Sequence, residues 1–345
     1  TKDGYVKRTS KRGYLANTED PLLKENDYVI GLYEQNTLDT LLIFTNLGNY
    51  IYLPVHEIPD IKWKQLGKHL SNIIKLEENE VVVDAIPVSD FSKKLDVVLT
   101  SKNGMIKKTS LEEFKVSRYS KPISCMKLKD NDEVVSVFLS VYNDILVATN
   151  KCYSLWFDVN EVPSSGIKSS GVKAIALKDD YVVSSVNFDD DMLYVSVFTD
   201  KGTAKRVKLS EFEKGTRARR GLMILREVKT NPYRVIKVFV NDKCSFGIKS
   251  VSGINVIRST ELNICDRYQT GSSISSSEVL DVFMVKDLEK DIDIDKDISS
   301  NDKDEVLEND IDENPKREVV IREQGHQMSL LEIDDELKKI DDIIN

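Results

Sequence analysis

The sequence predicts an all-β protein: a six-bladed, propeller-like disc of four-stranded blades, followed by an acidic tail. Three observations lead to this prediction. A short β-branched run recurs six times in the 345 residues, a glycine hairpin pattern recurs between the runs, and acidic residues concentrate towards the C-terminal end. A single small sheet cannot bury both of its faces, so repeated sheets are expected to stack around a common axis.

The β-branched runs are the most regular feature of the chain. They lie near residues 29, 82, 134, 182, 235 and 279, at intervals of 44 to 53 residues, and Val134-Val-Ser-Val-Phe138 is a typical member. Valine, isoleucine and phenylalanine favour extended backbone, so each run predicts one strand of a repeated unit.

A second pattern lies between these runs: an apolar strand, then Thr or Ser, a polar turn with glycine, and a strand carrying basic residues. Glycine adopts positive φ in such a turn without steric cost, so the pattern predicts a hairpin. Two of the expected hairpins are Leu95–Thr100 with Met105–Lys108, and Leu193–Thr199 with Thr203–Val207. A further strand, such as Val172–Leu177, is expected before the next β-branched run.

The charge of the chain is divided unevenly between its two parts. The net charge is −9, but residues 281–345 hold 22 acidic and 9 basic side chains, whereas residues 1–280 hold 36 acidic and 40 basic ones. The bulk acidity would argue against a nucleic-acid partner, and the mildly basic body removes that argument.

Three regions follow from these patterns. Residues 1–285 are expected to form the six-repeat disc. Residues 286–326 are predicted to be an acidic disordered linker, because they are rich in Asp and Glu and almost free of aromatic residues. Residues 327–345 regain helical apolar spacing and predict a short amphipathic helix. Its apolar stripe consists of Leu330, Ile333, Leu337, Ile340 and Ile344.

Several classes of protein are excluded by what the sequence lacks. No apolar run is long enough for a membrane helix, and no secretory signal peptide is visible. The chain begins at Thr1 without methionine, so we interpret it as a fragment. The cysteines form no C-x-x-C pair and the three histidines have no zinc spacing, which predicts free thiols in a reducing cytosol and no metal site. The cysteines are Cys125, Cys152, Cys244 and Cys265.

Two segments resemble ligand-binding motifs, but each lacks a residue that its motif requires. The glycines of Gly166-Ile-Lys-Ser-Ser-Gly171 have phosphate-loop spacing, but Val172 follows where lysine is required. The acidic run that begins at Asp291 resembles the start of a calcium loop, yet Lys296 stands at its glycine position. With no nucleophile elbow or charge-relay set, we predict no catalytic residues.

Clusters of basic residues recur after the hairpin glycines, at the same place in successive repeats. In a radial disc, equivalent positions lie at equivalent places around the edge, so recurrent positive charge would suit a polyanion contacted through its phosphates. The predicted DNA-binding residues are Lys7, Arg8, Lys11, Arg12, Lys62, Lys64, Lys68, Lys107, Lys108, Arg118, Lys121, Lys205, Arg206, Lys208, Arg217, Arg219 and Arg220. The fourth repeat has Cys152 for the glycine and Trp156 in the basic pair, so we expect it to contribute least.

These residues carry a resemblance to a known family. The repeat Thr-x-x-Gly-x-x-Lys-Arg, at Thr1–Arg8 and Thr199–Arg206, resembles the C-terminal β-pinwheel domain of bacterial type IIA topoisomerase A subunits. The segment Leu42–Ile58 is similar to that of the topoisomerase IV A subunit (ParC) of low-GC Gram-positive bacteria. The resemblance covers residues 1–285 and implies a non-catalytic domain that binds and bends duplex DNA on its outer edge.

The resemblance also implies a cellular setting. The parent enzyme would be an ATP-hydrolysing type II topoisomerase, cytoplasmic and nucleoid-associated, in an A2B2 assembly with the topoisomerase IV B subunit. ATP and Mg²⁺ would serve that holoenzyme, and this fragment would need no cofactor. It would present a DNA segment for double-strand passage in decatenation, supercoil relaxation and chromosome segregation.

Two alternatives remain open at this point: a gyrase A wrapping domain and a protein-binding propeller scaffold. Gyrase A subunits carry a basic, glycine-rich box in the first repeat, whereas acidic residues stand here in Tyr14–Pro21, which favours topoisomerase IV. A partial match to the box lies at Thr216–Gly221 in the fifth repeat.

The tail predicts a separate partner. Gln327-Met-Ser-Leu-Leu331 is similar to a short peptide motif that docks on the bacterial replication sliding clamp, through Gln327, Ser329, Leu330 and Leu331. The acidic linker is also expected to compete with DNA for the basic edge.

Overall fold

The structure is a computed structural model that describes residues 1–17, 19–226 and 228–286. In chain order its strands are β1 (Tyr5–Val6), β2 (Thr40–Thr45), β3 (Asn49–Pro54), β4 (Lys68–His69), β5 (Val82–Val88), β6 (Asp96–Ser101), β7 (Met105–Ser110), β8 (Ile123–Ser124), β9 (Val134–Leu139), β10 (Asp144–Thr149), β11 (Tyr153–Asp158), β12 (Val172–Lys173), β13 (Val182–Phe188), β14 (Tyr194–Thr199), β15 (Thr203–Lys208), β16 (Leu222–Met223), β17 (Val235–Val240), β18 (Ser245–Ser250), β19 (Gly253–Arg258), β20 (Ser272–Ser273) and β21 (Val279–Met284). The helices are α1 (Lys11–Leu15) and short 3-10 turns at Val55–Glu57, Leu70–Asn72, Leu111–Phe114, Val159–Glu161, Leu209–Glu211 and Ser259–Glu261.

The strands form five antiparallel sheets, numbered here along the chain. Sheet 1 has the order β5-β2-β3-β8, sheet 2 β9-β6-β7-β12, sheet 3 β13-β10-β11-β16, sheet 4 β17-β14-β15-β20, and sheet 5 β21-β18-β19. The central hairpins confirm the predicted glycine turns: Gly104 joins β6 to β7 and Gly202 joins β14 to β15, with φ of 78° and 68°.

The prediction of six four-stranded blades is wrong, because the described residues form five blades. Sheet 5 has three described strands, and the first repeat provides only the two-stranded ladder of β1 with β4. In every other repeat an apolar strand precedes the turn and occupies the centre of its sheet. In the first repeat, β1 follows the turn at Thr1–Gly4 and pairs with β4 alone within the described residues.

Each of sheets 1 to 4 is completed by a strand from the following repeat. The short strands β8, β12, β16 and β20 pair with β3, β7, β11 and β15, each in the hairpin of the repeat before their own. The sequence predicted a longer strand here and placed it within its own repeat. The exchange links neighbouring sheets covalently and by hydrogen bonds.

Burial on both faces explains why the first hairpin strands β2, β6 and β10 are nearly continuous apolar runs rather than alternating ones. Five clusters of buried side chains lie between neighbouring units: four between successive sheets, and one between sheet 1 and the first repeat. In β10, for example, Ile145 and Val147 pack towards sheet 2 while Leu146 and Ala148 pack towards sheet 4.

The strands β5, β9, β13, β17 and β21 contact one another from sheet to sheet, so they are the inner strands, and the short exchanged strands form the outer edges. The first repeat bridges the last sheet to the first. The Tyr28 ring stacks on Phe283 of β21 with centroids 3.8 Å apart, and its hydroxyl donates to Asp281. Lys2 Nζ donates to the Val82 carbonyl oxygen of β5 at 2.8 Å. Residues 1–31 therefore close the ring of sheets.

The predicted linker and C-terminal helix, and the clamp-like motif at Gln327–Leu331, lie outside the described residues. Among the described residues, no helix is long and apolar enough to cross a membrane.

Candidate nucleic-acid interface

Five loops, which we call the outer loops, lead from a 3-10 turn to an outer edge strand. They span residues 59–67, 115–122, 163–171 and 213–221, and residues 263–271. Each runs beside the second hairpin strand of the preceding repeat, and Arg8 with Asp60, Lys108 with Ser164, and Arg206 with Ile264 form parallel bridges there. The outer loop and the hairpin strand beside it lie about 50 residues apart in sequence. Together they place the predicted basic residues at the outer edges of the sheets.

A glycine ends four of these loops and lets them approach the hairpin closely. Gly171, Gly221 and Gly271 have positive φ, and a Cβ on Gly221 would lie 2.0 Å from the Ser154 carbonyl oxygen. Gly171 belongs to the segment with phosphate-loop spacing, so that spacing reflects loop packing.

The exchange of outer strands separates residues that the sequence had grouped. Lys107 and Lys108 lie on β7 of sheet 2, whereas Arg118 and Lys121 lie in the outer loop that leads to sheet 1. Lys7 and Arg8, in contrast, are brought beside loop 59–67.

Two predicted DNA contacts are buried, which corrects their assignment. Lys107 is 1% exposed and Lys205 is 0% exposed. Lys107 Nζ donates to the carbonyl oxygens of Cys125, Gly166 and Ile167 at 2.7, 3.0 and 2.7 Å. An ammonium enclosed in this way cannot meet a phosphate, so both lysines are removed from the candidate set.

A lysine ammonium that donates to the carbonyl oxygens of an outer loop recurs in alternate repeats. Lys205 Nζ donates to the carbonyl oxygens of Asp266, Arg267 and Gln269 at 3.1, 2.6 and 2.6 Å. Lys7 Nζ donates to the carbonyl oxygens of Trp63 and Gln65 in the same manner. Each ammonium holds an outer loop against its hairpin, because it supplies the donors that the loop carbonyls need once they leave water.

A carboxylate from the 3-10 turn fixes loops 163–171, 213–221 and 263–271, so the first and last of these are held from both sides. Glu113, Glu161 and Glu211 accept hydrogen bonds from the backbone N–H of Ile167, Arg217 and Arg267 at 3.0, 2.9 and 2.8 Å. Arg217 is held further, since its guanidinium donates to the carbonyl oxygens of Glu161 and Lys173. The loops are therefore ordered before any ligand binds.

Other predicted contacts are partly engaged by groups of the chain itself. Lys11 lies 2.7 Å from Glu34, Lys64 lies 2.9 Å from Glu19, and Arg206 donates to the Leu262 carbonyl oxygen. Arg8 lies 3.8 Å from Asp60, and Lys108 lies 3.9 Å from Asp96. These side chains keep their charge near the outer edges but have less freedom to contact a ligand.

Eight predicted residues are exposed and form no ion pair with any carboxylate in the described part of the chain. They are Arg12, Lys62, Lys68, Arg118, Lys121, Lys208, Arg219 and Arg220. Seven of them lie on the outer loops, an outer strand or the end of a hairpin strand. Cationic groups held on ordered loops in this way can contact a chain of phosphates without reading its sequence.

The remaining titratable groups offer no catalytic arrangement within the described residues. Burial raises the pKa of the Cys125 thiol to about 12 and that of Cys152 to about 11, so neither is an activated nucleophile. Cys125, Cys152 and Cys265 are free thiols, as predicted, and Cys244 and Cys265 are only partly buried. In the same part of the chain, the one group of three potential metal ligands is the surface run Asp189–Asp191.

Comparison with known proteins identifies a family that matches this chain. A family model described as "DNA gyrase C-terminal domain, beta-propeller" matches residues 39–89, 95–140, 143–187 and 193–242. The chain belongs to this family. The predicted resemblance to the C-terminal domain of gyrase A and topoisomerase IV A subunits is thereby confirmed.

Individual relatives place the chain within this gyrase-type C-terminal domain family. It is 41% identical over 285 residues to the DNA topoisomerase 4 A subunit of Bacillus subtilis, an alignment that covers 81% of this chain and 35% of that protein. A crystal structure of the C-terminal domain of DNA topoisomerase IV matches with a TM-score of 0.79 at 39% identity, covering 88% of this chain and 96% of that one. A DNA gyrase A C-terminal domain shares the fold, with a TM-score of 0.63 at 19% identity, covering 83% and 97%. The chain thus spans about a third of the length of its curated relative.

Some basic residues of this gyrase-type domain were missed from the sequence. Lys168, Lys214 and Arg267 lie on outer loops, and Lys151 and Arg234 lie near the turn end of sheet 3. The glycine that precedes four of the five short outer strands is the signal that could have identified the loops. The turn-end residues had no such signal, because three separate segments meet there.

The buried lysines also predict a dependence of stability on pH. Burial lowers the pKa of Lys107 and of Lys205 to about 8, below the ordinary value of about 10.4 in an unfolded chain. Between these values the unfolded chain binds more protons, so the free energy of unfolding rises with pH. Relative to a Lys205→Met variant, the wild type should gain about 2 kcal/mol between roughly pH 7 and pH 10 in urea unfolding. A difference that shrinks with pH would show that the three hydrogen bonds to the ammonium outweigh its desolvation.

Proposed function

We propose that this chain is the non-catalytic DNA-binding and DNA-bending domain of a topoisomerase IV A subunit. The observation that carries the proposal is the set of exposed cations without ion-pair partners among the described residues, held on ordered outer loops. Their recurrence from sheet to sheet gives duplex DNA successive phosphate contacts along the outer edges, and a ligand that follows a curved row of contacts bends.

The wider role rests on the family. The parent enzyme would be a type II topoisomerase that assembles with its B subunit as A2B2 and uses ATP and Mg²⁺ in other domains. This domain would present a DNA segment for double-strand passage during decatenation, supercoil relaxation and chromosome segregation, in the cytoplasm at the nucleoid. The clamp-like motif at Gln327–Leu331 would add a contact to the replication sliding clamp.

A gyrase-like wrapping role is the second candidate, and one observation bears on it. The box-like segment Thr216–Gly221 forms an outer loop in which Arg217 is committed to the carbonyl oxygens of Glu161 and Lys173, while Arg219 and Arg220 are exposed. Only part of that segment is therefore available to DNA, which supports bending over full wrapping. Fluorescence energy transfer between labels at the two ends of a duplex would distinguish bending from full wrapping.

Salt dependence tests DNA binding itself. Log affinity for duplex DNA should fall linearly with log salt, by about 0.9 for each phosphate contact. Replacing Lys62, Lys68, Arg118 and Lys121 by alanine should reduce that slope by about 3.6 and weaken binding to unrelated sequences equally. The measurement is fluorescence anisotropy of labelled duplexes at several salt concentrations.

A matched variant controls for net charge. Lys24, Lys75, Lys94 and Lys129 are also exposed but lie outside the outer loops. Their replacement by alanine removes the same charge and should change the slope much less. Equal losses in both variants would show a diffuse charge effect, and a flat salt response of the wild type would contradict DNA binding through phosphates.

A further inference from the structure

A cleft of about 190 Å³ opens at the turn end of sheet 3, the sheet formed by the fourth repeat. Four cationic side chains line it: Lys151 from the hairpin turn, Arg220 from outer loop 213–221, Arg226 beyond β16, and Arg234 just before β17. Three separate chain segments thus converge on one positively charged hollow.

No acidic side chain lines the cleft among the described residues, and none of its four cations forms an ion pair with a described carboxylate. Two carboxylates lie beside the cleft and accept hydrogen bonds from the backbone of its lining residues. Asp180 accepts from the Lys151 N–H and Asp200 accepts from the Arg234 N–H, each at 2.9 Å. Positive charge therefore exceeds negative charge at the cleft, an arrangement that suits an anion.

Two of the four cationic groups, Arg220 and Arg234, are held in place by neighbouring residues. The Arg220 guanidinium lies over the Tyr153 ring at 4.2 Å, and Arg234 Nη1 donates to the Tyr233 carbonyl oxygen at 3.1 Å. Cys152 Sγ also donates to the Tyr233 carbonyl oxygen, which ties the turn to the segment before β17. A guanidinium stacked on a ring keeps its edge donors free, and those donors match two phosphate oxygens.

The other sheets do not repeat this arrangement. The positions equivalent to Arg220, Arg226 and Arg234 are occupied in sheet 1 by Lys121, Lys127 and Glu133, in sheet 2 by Ser170, Ala176 and Tyr181, and in sheet 4 by Thr270, Ser276 and Glu278. Only at sheet 3, within the described residues, are all three basic. This is the repeat whose turn carries Cys152 in place of glycine and whose hairpin lacks a basic pair.

We propose that this cleft binds a backbone phosphate of duplex DNA, which crosses from outer loop 213–221 towards the hairpin turns at sheet 3. The inference rests on the proposed DNA-binding function and adds to it a contact off the outer edge. It reverses the expectation that the fourth repeat contributes least, because its contacts come from the turn end rather than from a basic pair.

The test uses the full chain and a double variant, Arg220→Gln with Arg226→Gln, because both side chains are exposed and the fold should be retained. Duplex affinity should fall about tenfold at roughly 0.1 M salt, and the salt slope should fall by about 2. Lys24→Gln with Lys75→Gln is the matched control and should change the slope by much less.

Three outcomes overturn the inference. If the double variant binds duplex DNA like the wild type while the outer-loop quadruple variant is weakened, the cleft is off the DNA path and the proposed function stands. If the wild type itself shows no salt-dependent binding, the proposed function fails together with the cleft. If calorimetry shows inorganic phosphate binding that the double variant loses while duplex affinity is unchanged, the cleft takes free phosphate instead of DNA.

Discussion

Replacing Lys205 with methionine is expected to lower the free energy of unfolding by about 3 kcal/mol, whereas replacing Lys208 with methionine should leave it nearly unchanged. Both lysines lie on β15, but Lys205 is fully buried and Lys208 is exposed. Methionine keeps most of the side-chain volume and removes the three donors. The carbonyl oxygens of Asp266, Arg267 and Gln269 would then be left without the ammonium that satisfies them.

Guanidinium unfolding of the two variants measures this difference, and duplex affinity at a temperature where both are folded gives an independent readout. For duplex affinity we expect the opposite order. Lys208→Met should weaken binding directly, because it removes an exposed charge. Lys205→Met should weaken binding less, and only through loosening of loop 263–271. If the two variants were equally stable, the buried lysine would not be a structural anchor and its place among the DNA contacts would have to be reconsidered.

Replacing Tyr28 with alanine is expected to cost about 3 to 4 kcal/mol of stability. Tyr28 is 5% exposed, and its ring stacks on Phe283 of the last sheet, 255 residues away in the chain. Its hydroxyl donates to Asp281, and burial raises the pKa of this phenol far above its usual range, so it remains a neutral donor. The substitution removes the contact that joins the first repeat to sheet 5.

Tyr28→Phe is the matched control, because it keeps the stacked ring and loses only the hydrogen bond, for an expected cost of about 1 kcal/mol. Hydrogen exchange should show faster exchange in β21 and β5 for the alanine variant and little change in β10 of sheet 3. A uniform effect across all sheets, or none at all, would contradict the assignment of Tyr28 as the residue that closes the ring.

The hairpins are the part of the fold that sequence patterns predict best. The glycine turns at Gly104 and Gly202 were identified correctly, because positive φ at that place is a local steric requirement. The number of blades was predicted wrongly. The repeats were counted by their turns, and a turn does not show whether a central strand precedes it. At Thr1–Val6 the turn and one strand are present, yet only a two-residue ladder with Lys68–His69 forms.

The candidate site was predicted in outline but not in detail. Lys107 and Lys108 are adjacent in a basic pair, and nothing in the pair itself distinguishes them. Their burial differs because the loop from the next repeat covers one side of β7. Lys107 lies on that side and donates to the carbonyl oxygens of Gly166 and Ile167, 59 and 60 residues ahead. Strand alternation indicates that neighbours face opposite ways, but not which face is covered.

The uneven charge, the glycine turns and the recurring runs are local properties, so the chain alone determines an all-β repeat protein with a basic body. Tertiary structure decides which sheet receives each outer strand, which lysines are buried, and where Lys151, Arg220 and Arg226 meet. The physical reason is that an outer strand of two residues forms too few backbone hydrogen bonds to select its partner strand by itself. Its place is set by the long-range packing of the loop before it, which at β12 and β20 involves a buried ammonium on one side and a glutamate on the other.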